Sequence, residues 1–313
     1  MFDLTREELD TLAKKTGFLK NSLEKMFRLL DILSVLRTHP ITKNAFVLKG
    51  GTALNLFILD IPRISVDIDL NYIQSISRSS MLTDRKIINS EIQKIFHSSY
   101  EIKMSRDVHA LTQFELRYET SSGSSDMLKL EINYLKRITL LPPQIMRLDR
   151  FNRNIEFLCL DFLELLATKI IALLNRYTPR DLFDVYQMVN SPPKIRKDLL
   201  KMLLLFYGVV TDTEIFELFK LKFHLISQAD IQNKLYPMLQ KRTYPDREDL
   251  VVNVENFLSP YLSLSDNEDE ALRNFYKTGQ ADIDILFPQK EIQERVLKSP
   301  SFKWKIKNIM KNQ

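Results

Sequence analysis

Residues Lys49 to Leu70 read KGGTALNLFILDIPRISVDIDL. The stretch holds a Gly-Gly-Thr turn, a short apolar run, and two aspartates one residue apart in a strand-like segment. The chain has only six glycines, and Gly50 and Gly51 are adjacent. In so glycine-poor a chain the pair marks backbone that turns tightly or meets a ligand closely. Thr52 then opens a helix whose free N-terminal amides suit a phosphate; an ordinary strand-to-helix turn reads the same way. Asp67 and Asp69 stand at i and i+2 on a strand, so their carboxylates leave one face, which Ser65 shares. Val66, Ile68 and Leu70 point to the other. Two carboxylates this close repel unless a cation lies between them. Mg²⁺ (or Mn²⁺) answers that need, since it takes oxygen ligands and triphosphate as a co-ligand. A solvated polar strand face is the plain alternative.

Working outward, residues 5–38 carry helical spacing, with Leu19, Leu23, Phe27, Leu30 and Leu33 on one stripe. Ala45–Leu48 and Val66–Tyr72 read as strands, Thr83–His97 as a helix. Tyr100–Arg106, Leu111–Glu119 and Met127–Leu135 read as further strands, the last two joined by a Ser-Ser-Gly-Ser-Ser turn, and Ile155–Leu160 as one more. The sheet is therefore expected to be mixed. After Asp161 the pattern is helical. Asp161 and Glu164 stand at capping-box spacing, and Thr178, Pro179 and Asp181 form a second helix start. Ser191-Pro192-Pro193 breaks the chain and draws the boundary between a domain 1–190 and a domain 191–313. The expected class is α+β: an N-terminal domain with a mixed sheet flanked by helices, then a C-terminal helical bundle.

Of the 313 residues, 44% are hydrophobic, enough for a sizeable core. The single cysteine, Cys159, has no intrachain partner and sits in an apolar run, as a buried core thiol would. The N-terminus is charged and amphipathic, unlike a secretory signal. The apolar run Met202–Val210 is far short of the roughly 20 residues that span a bilayer. These features predict a soluble cytoplasmic protein with no membrane partner. A net charge of +5 permits nucleic-acid binding without requiring it. Lys303, Lys305, Lys307 and Lys311 around Trp304 read either as a solvated helix face or as a phosphate-contacting tail. Lys194, Arg196, Lys197, Lys201, Lys241 and Arg242 permit RNA contact or are simply solvated.

A third acid would have to come from another strand. Glu131 lies mid-strand on the polar face, as a metal ligand or as half of a cross-strand ion pair. Lys169 interrupts the apolar helix FLELLATKIIALL, where a lysine snorkels outward or meets an anion. Arg176 lies on the same stripe. Asp181 has a role as the acid of a helix start. Asp184 has none, although a pair with Arg180 would explain it.

Taken in order, GGTAL, RISVDIDL, a strand acid, and ELLATKIIALLNRYTPRDLFDVY resemble the AbiEii/AbiGii toxin family, nucleotidyltransferases of the polymerase-β-like superfamily that include the mycobacterial MenT toxins. The resemblance covers about residues 40 to 190. It implies transfer of a nucleoside monophosphate from an NTP, with Mg²⁺, to an acceptor such as tRNA, under the control of an antitoxin partner. By motif, Asp67, Asp69, Lys169 and Asp184 would be catalytic. Gly50, Gly51, Thr52, Ser65, Arg180 and Asp181 would serve the nucleotide, with Ser65 a position of regulatory phosphorylation in some relatives. Asp67, Asp69 and Glu131 would hold the metal. A non-catalytic NTP-binding module, or nucleotidylation of a protein acceptor, are the competing expectations.

Overall fold

The computed structural model describes residues 4–190, 195–241 and 244–311. The chain forms two compact units. The first comprises Met1–Arg137, Pro143–Leu160 and Asn233–Tyr244; the second comprises Ile138–Pro142, Asp161–Gln232 and Pro245–Gln313. The chain crosses between the units after Arg137, Pro142, Leu160, Gln232 and Tyr244. After Leu160 the reason is packing: the helices that follow Asp161 make their interhelical contacts with one another and with later helices. The Ser191-Pro192-Pro193 break, like Lys194 and Arg242, lies outside the described residues.

The first unit opens with α1 (Arg6–Thr16) and α2 (Lys20–Thr38). A single helical pattern ran through both, but Gly17 ends α1 in the left-handed region at φ 78°. Thr5 and Glu8 form a reciprocal capping box at its start. The strands are β1 (Phe46–Lys49), β2 (Asp67–Tyr72), β3 (Glu101–Val108), β4 (Leu111–Glu119), β5 (Ser125–Asn133), β6 (Gln144–Arg150) and β7 (Arg153–Cys159). Between β1 and β2 lie a short turn of helix, α3 (Gly50–Thr52), and a π-helical turn, Ala53–Ile58; α4 (Arg78–Phe96) precedes β3.

The seven strands form one mixed sheet in the order β3-β4-β5-β2-β1-β7-β6. β2 runs parallel to β5, and β1 parallel to β7; the other neighbours are antiparallel. The alternation read in β2 and β5 sends Ile68, Leu70, Leu128, Leu130 and Ile132 into the core. Cys159 is buried there too, and burial raises its thiol pKa, so it stays an inert core group. β6 had no counterpart in the sequence reading. It is an edge strand whose residues are mostly exposed, so it lacks the apolar alternation that marks a strand.

The second unit is helical: α5 (Phe162–Arg176), α6 (Pro179–Asn190), α7 (Lys197–Val209), the short α8 (Ile215–Leu218) and α9 (Gln228–Asp230), then α10 (Arg247–Leu262), α11 (Asp266–Thr278), α12 (Ile283–Leu286), α13 (Lys290–Lys298) and α14 (Pro300–Lys311). α5 packs on α6 and α7, and α6 on α10. Two basic residues of this unit are engaged within it. Lys305 is buried, with Nζ donating to the Thr211 carbonyl at 2.7 Å. Lys201 pairs with Glu268 at 3.4 Å. Among the described residues, no helix is long and apolar enough to cross a membrane.

Glu164 does not complete a capping box. Asp161 caps α5 through the Leu163 amide, at 2.8 Å. Glu164 is fully buried and accepts hydrogen bonds from the Leu140 and Leu141 amides, at 2.8 and 2.9 Å, and from the Tyr207 hydroxyl. Burial pushes its pKa up to about 7, against the hydrogen bonds from Tyr207, Leu141 and Leu140. The folded chain therefore keeps a proton that the unfolded chain releases near pH 4.3. The stability this group contributes is full below that pH and is lost as pH rises through about 7. Trp304 lies in this unit and reports its unfolding. In urea titrations followed by Trp304 fluorescence, Glu164→Gln should remove a loss of about 3 kcal/mol that wild type shows between pH 5 and 8. Parallel pH profiles for the two proteins would refute the assignment.

Candidate active site

The first unit gathers one group of the expected residues around the end of β1. Lys49 is the last residue of that strand, and its register partner on β2 is Asp69. The turn that follows starts at Gly50 with φ 73°, a conformation costly for any residue with a Cβ. A Cβ there would lie 2.5 Å from Asp69 Oδ2. Gly50 is thus a glycine for two reasons, its backbone and the space it leaves to a carboxylate. Thr52 braces the turn: its Oγ1 donates to the Asp67 carbonyl at 2.5 Å and lies 3.2 Å from Ser65 Oγ. Thr52, Gly51 and Ser65 are buried, whereas Gly50 is half-buried. Gly50→Ala should therefore displace the Asp69 carboxylate. The expected outcome is a tenfold or greater loss of activity with only about 1–2 kcal/mol lost in chemical denaturation. Wild-type activity in this variant would show that the space beside Asp69 is not needed.

Asp67 is exposed at the start of β2, and Asp69, two residues on, is half-buried on the same face. Glu131 on β5 is the parallel-register partner of Asp69, so the side chains of the two face the same side of the sheet. Lys49 Nζ lies 3.8 Å from Asp69 Oδ1. Glu131 registers its neighbours in its own titration. Burial raises its pKa, Lys49 and Arg106 oppose that, and the negative charges of Asp69 and Asp67 add to it. Three acids thus share a patch, and Glu131 feels the charge of the other two. Among the described residues no three His, Cys, Asp or Glu side chains form a set that by itself could hold a metal ion. A cage is not what Mg²⁺ uses in such sites: one or two carboxylates, waters and substrate phosphates complete its shell. Asp67 and Asp69 fit that pattern, and a divalent cation would relieve their repulsion.

The second unit gathers the other group. Lys169 Nζ pairs with Asp184 Oδ2 at 2.7 Å and with Asp181 Oδ1 at 3.2 Å. Arg176 meets Asp181 at 2.5 and 2.9 Å, and the Thr178 hydroxyl donates to the same carboxylate at 2.6 Å. Lys169, Asp181 and Asp184 are all buried. Burial alone would raise the pKa of Asp181; the Arg176 hydrogen bond, the charges of Lys169 and Arg176 and the Thr178 bond outweigh it and hold the carboxyl well below the usual range. The ion pair observed for Asp184 is with Lys169, from the preceding helix, where the sequence had offered Arg180, which is half-buried. A lysine shared by two carboxylates has little charge left over for a phosphate. The network ties α5 to α6.

Two residues escaped the sequence reading. Lys49 was seen only as the start of the glycine turn; its position opposite Asp69 follows from the register of β1 with β2. Glu164 was read as a cap because its spacing from Asp161 fits one.

The sequence profile of the family described as "Nucleotidyl transferase AbiEii toxin, Type IV TA system" matches residues 31–254. Among solved structures, MenT4, a nucleotidyltransferase toxin from Mycobacterium tuberculosis H37Rv, is similar at 18% identity, over 86% of this chain and 93% of that one, with a TM-score of 0.64. JHP933 from Helicobacter pylori is similar at 15% identity, over 82% of this chain and 99% of that one, with a TM-score of 0.49. Searched against individual curated proteins, the sequence finds no match.

Proposed function

This chain belongs to the AbiEii nucleotidyl transferase toxin family, and on that premise we propose that it transfers a nucleoside monophosphate from an NTP to an RNA acceptor, at Asp67 and Asp69. It is a nucleotidyltransferase toxin of a type IV toxin–antitoxin system. The observation that carries the proposal is the paired carboxylate of β2, beside a glycine whose missing side chain leaves Asp69 room.

In this reading Asp67 and Asp69 would hold Mg²⁺, and Glu131 is the third acid of the patch. The cation, when bound, offsets phosphate charge and eases deprotonation of the acceptor hydroxyl. That hydroxyl attacks the α-phosphorus in line; the bond from the α-phosphorus to the bridging oxygen breaks, and pyrophosphate leaves. Lys49, beside Asp69, supplies a positive charge for the phosphates. Gly50 and Gly51 allow the nucleotide close to the backbone, and Thr52 with Ser65 holds the turn against β2. Lys169, Asp184, Arg180 and Asp181 we assign to the reaction by motif. Lys169, Asp181 and Asp184 act by fixing α5 and α6. A cytoplasmic setting and a cognate antitoxin protein as partner complete the proposal.

The acceptor is tested by incubating the chain with each α-labelled NTP and total cell lysate, then digesting with RNase or protease. Label released by RNase is the expected result. Label that survives RNase and falls to protease would move the acceptor to protein.

A further inference from the structure

Beside the sheet, the segment Asn233–Tyr244 belongs to the first unit although it follows the helices of the second in sequence. It docks on the strand entry that leads to the aspartates: the Ile64 amide donates to the Met238 carbonyl at 2.9 Å, and Arg63 bridges to Leu239. Two features of this segment have no part in the chemistry above. Tyr236 and Tyr244 stack, with ring centroids 4.4 Å apart and planes 25° from parallel, while Tyr244 stays 50% exposed. Tyr236 is half-buried, and its ring backs the exposed ring of Tyr244. The segment then reaches Lys241, whose amide donates to the Gly17 carbonyl at 3.3 Å. At that point a cavity of about 530 Å³ opens, lined by Lys14, Lys15, Lys20 and Lys241 and by one acid, Asp10.

The charges in this cavity do not cancel. Asp10 is engaged with Lys20 at 2.9 Å. Among the described residues, Lys14, Lys15 and Lys241 are exposed and form no ion pair. Like charges converging on a cavity call for an anion. Stacked aromatics on the same segment as a lysine of such a cluster suit single strands: bases lie on the rings and phosphates follow the cations. A duplex offers no free base face to a tyrosine.

We propose that Tyr236 and Tyr244 form a stacking platform for an unpaired base of a single-stranded RNA, whose phosphates run into the Lys14–Lys15–Lys241 cavity. This deepens the reading of RNA as acceptor and rests on it. The segment that carries the platform docks through Met238 and Leu239 on Arg63 and Ile64, just ahead of the strand that carries Asp67 and Asp69. Protein partners with acidic surfaces would use the lysines and gain nothing from the stacked rings.

The test is fluorescence anisotropy of the full chain with a labelled single-stranded RNA oligonucleotide, without NTP, and with the same sequence as a duplex. Tyr244→Ala should weaken single-strand binding about tenfold. Tyr244→Phe should restore it, and duplex binding should be unchanged. Reversing charge at Lys14, Lys15 and Lys241 should lower the salt slope of single-strand binding by about 2. Wild-type affinity in Tyr244→Ala, or equal losses for single strand and duplex, overturns the platform. An unchanged salt slope in the charge-reversed variant overturns the phosphate track. The platform and the acceptor reading separate cleanly. A chain that binds single strands through Tyr244 yet labels no RNA keeps the platform and loses the acceptor; one that labels RNA while Tyr244→Ala binds like wild type loses the platform alone.

Discussion

Asp67→Ala should abolish transfer while leaving the fold in place. Asp67 is exposed at the start of β2, so its removal touches no core contact, and stability should move by no more than about 0.5 kcal/mol. The rate should fall on the order of a thousandfold, because a carboxylate that holds the cation acts on the charge that develops at the reacting phosphate. Asp69→Asn should cost as much, with an added signature. The charge of Asp69 helps to raise the pKa of Glu131, so neutralising it should bring Glu131 back toward the ordinary glutamate range. Carbon-detected NMR titration of the Glu131 carboxyl in the cation-free protein reads this directly. An active Asp67→Ala protein, or a Glu131 titration indifferent to Asp69, would remove the paired acids from the mechanism.

The second large effect is on stability. Lys169→Met keeps most of the side-chain volume and removes the charge. Arg176 still compensates Asp181, but Asp184 loses the cation at 2.7 Å and stays buried. Breaking a buried ion pair by removing one partner costs about 3–5 kcal/mol. Adding Asp184→Asn to Lys169→Met should recover a large part of that, since the buried charge that faced Lys169 is then gone. The pH dependence follows with its sign. Wild type should lose stability as pH falls below about 4, because the depressed carboxyl of Asp181 must take up a proton there. Thermal and urea unfolding across pH 2–8 measures it. If the single variant is as stable as wild type, the network is not what joins α5 to α6.

Much of this was legible in the chain. β2 and β5 are half-buried strands, so they carry a clean alternation, and Asp67, Asp69 and Glu131 fall on its polar phase. The Thr178-Pro179-Asp181 start of α6 is local chemistry: the Thr178 hydroxyl accepts from the Asp181 amide at 3.3 Å. What was not legible is long-range or carries no pattern. β6 is exposed on an edge and has no period to detect. Gly17 breaks a helical stripe whose apolar spacing runs on past it. The division of the chain after Leu160 depends on which helices bury which faces, and the return of Asn233–Tyr244 to the sheet depends on two backbone contacts that no local motif announces. Glu164 shows the limit of a motif: its spacing was right for a cap, and its carboxylate is spent on the Leu140 and Leu141 amides instead. Lys169 and Asp184 were picked out as unusual residues in apolar helices. The structure adds that each is unusual because the other is there.

In the proposed reaction the NTP gives up its nucleoside monophosphate and not its terminal phosphate. Parallel incubations of the chain with RNA and α-labelled or γ-labelled NTP test it most directly. The account predicts α-label on RNA, γ-label in released pyrophosphate in equal amount, and neither with Asp67→Ala. Label from the γ position on the acceptor, or pyrophosphate released at the same rate by Asp67→Ala, would contradict it.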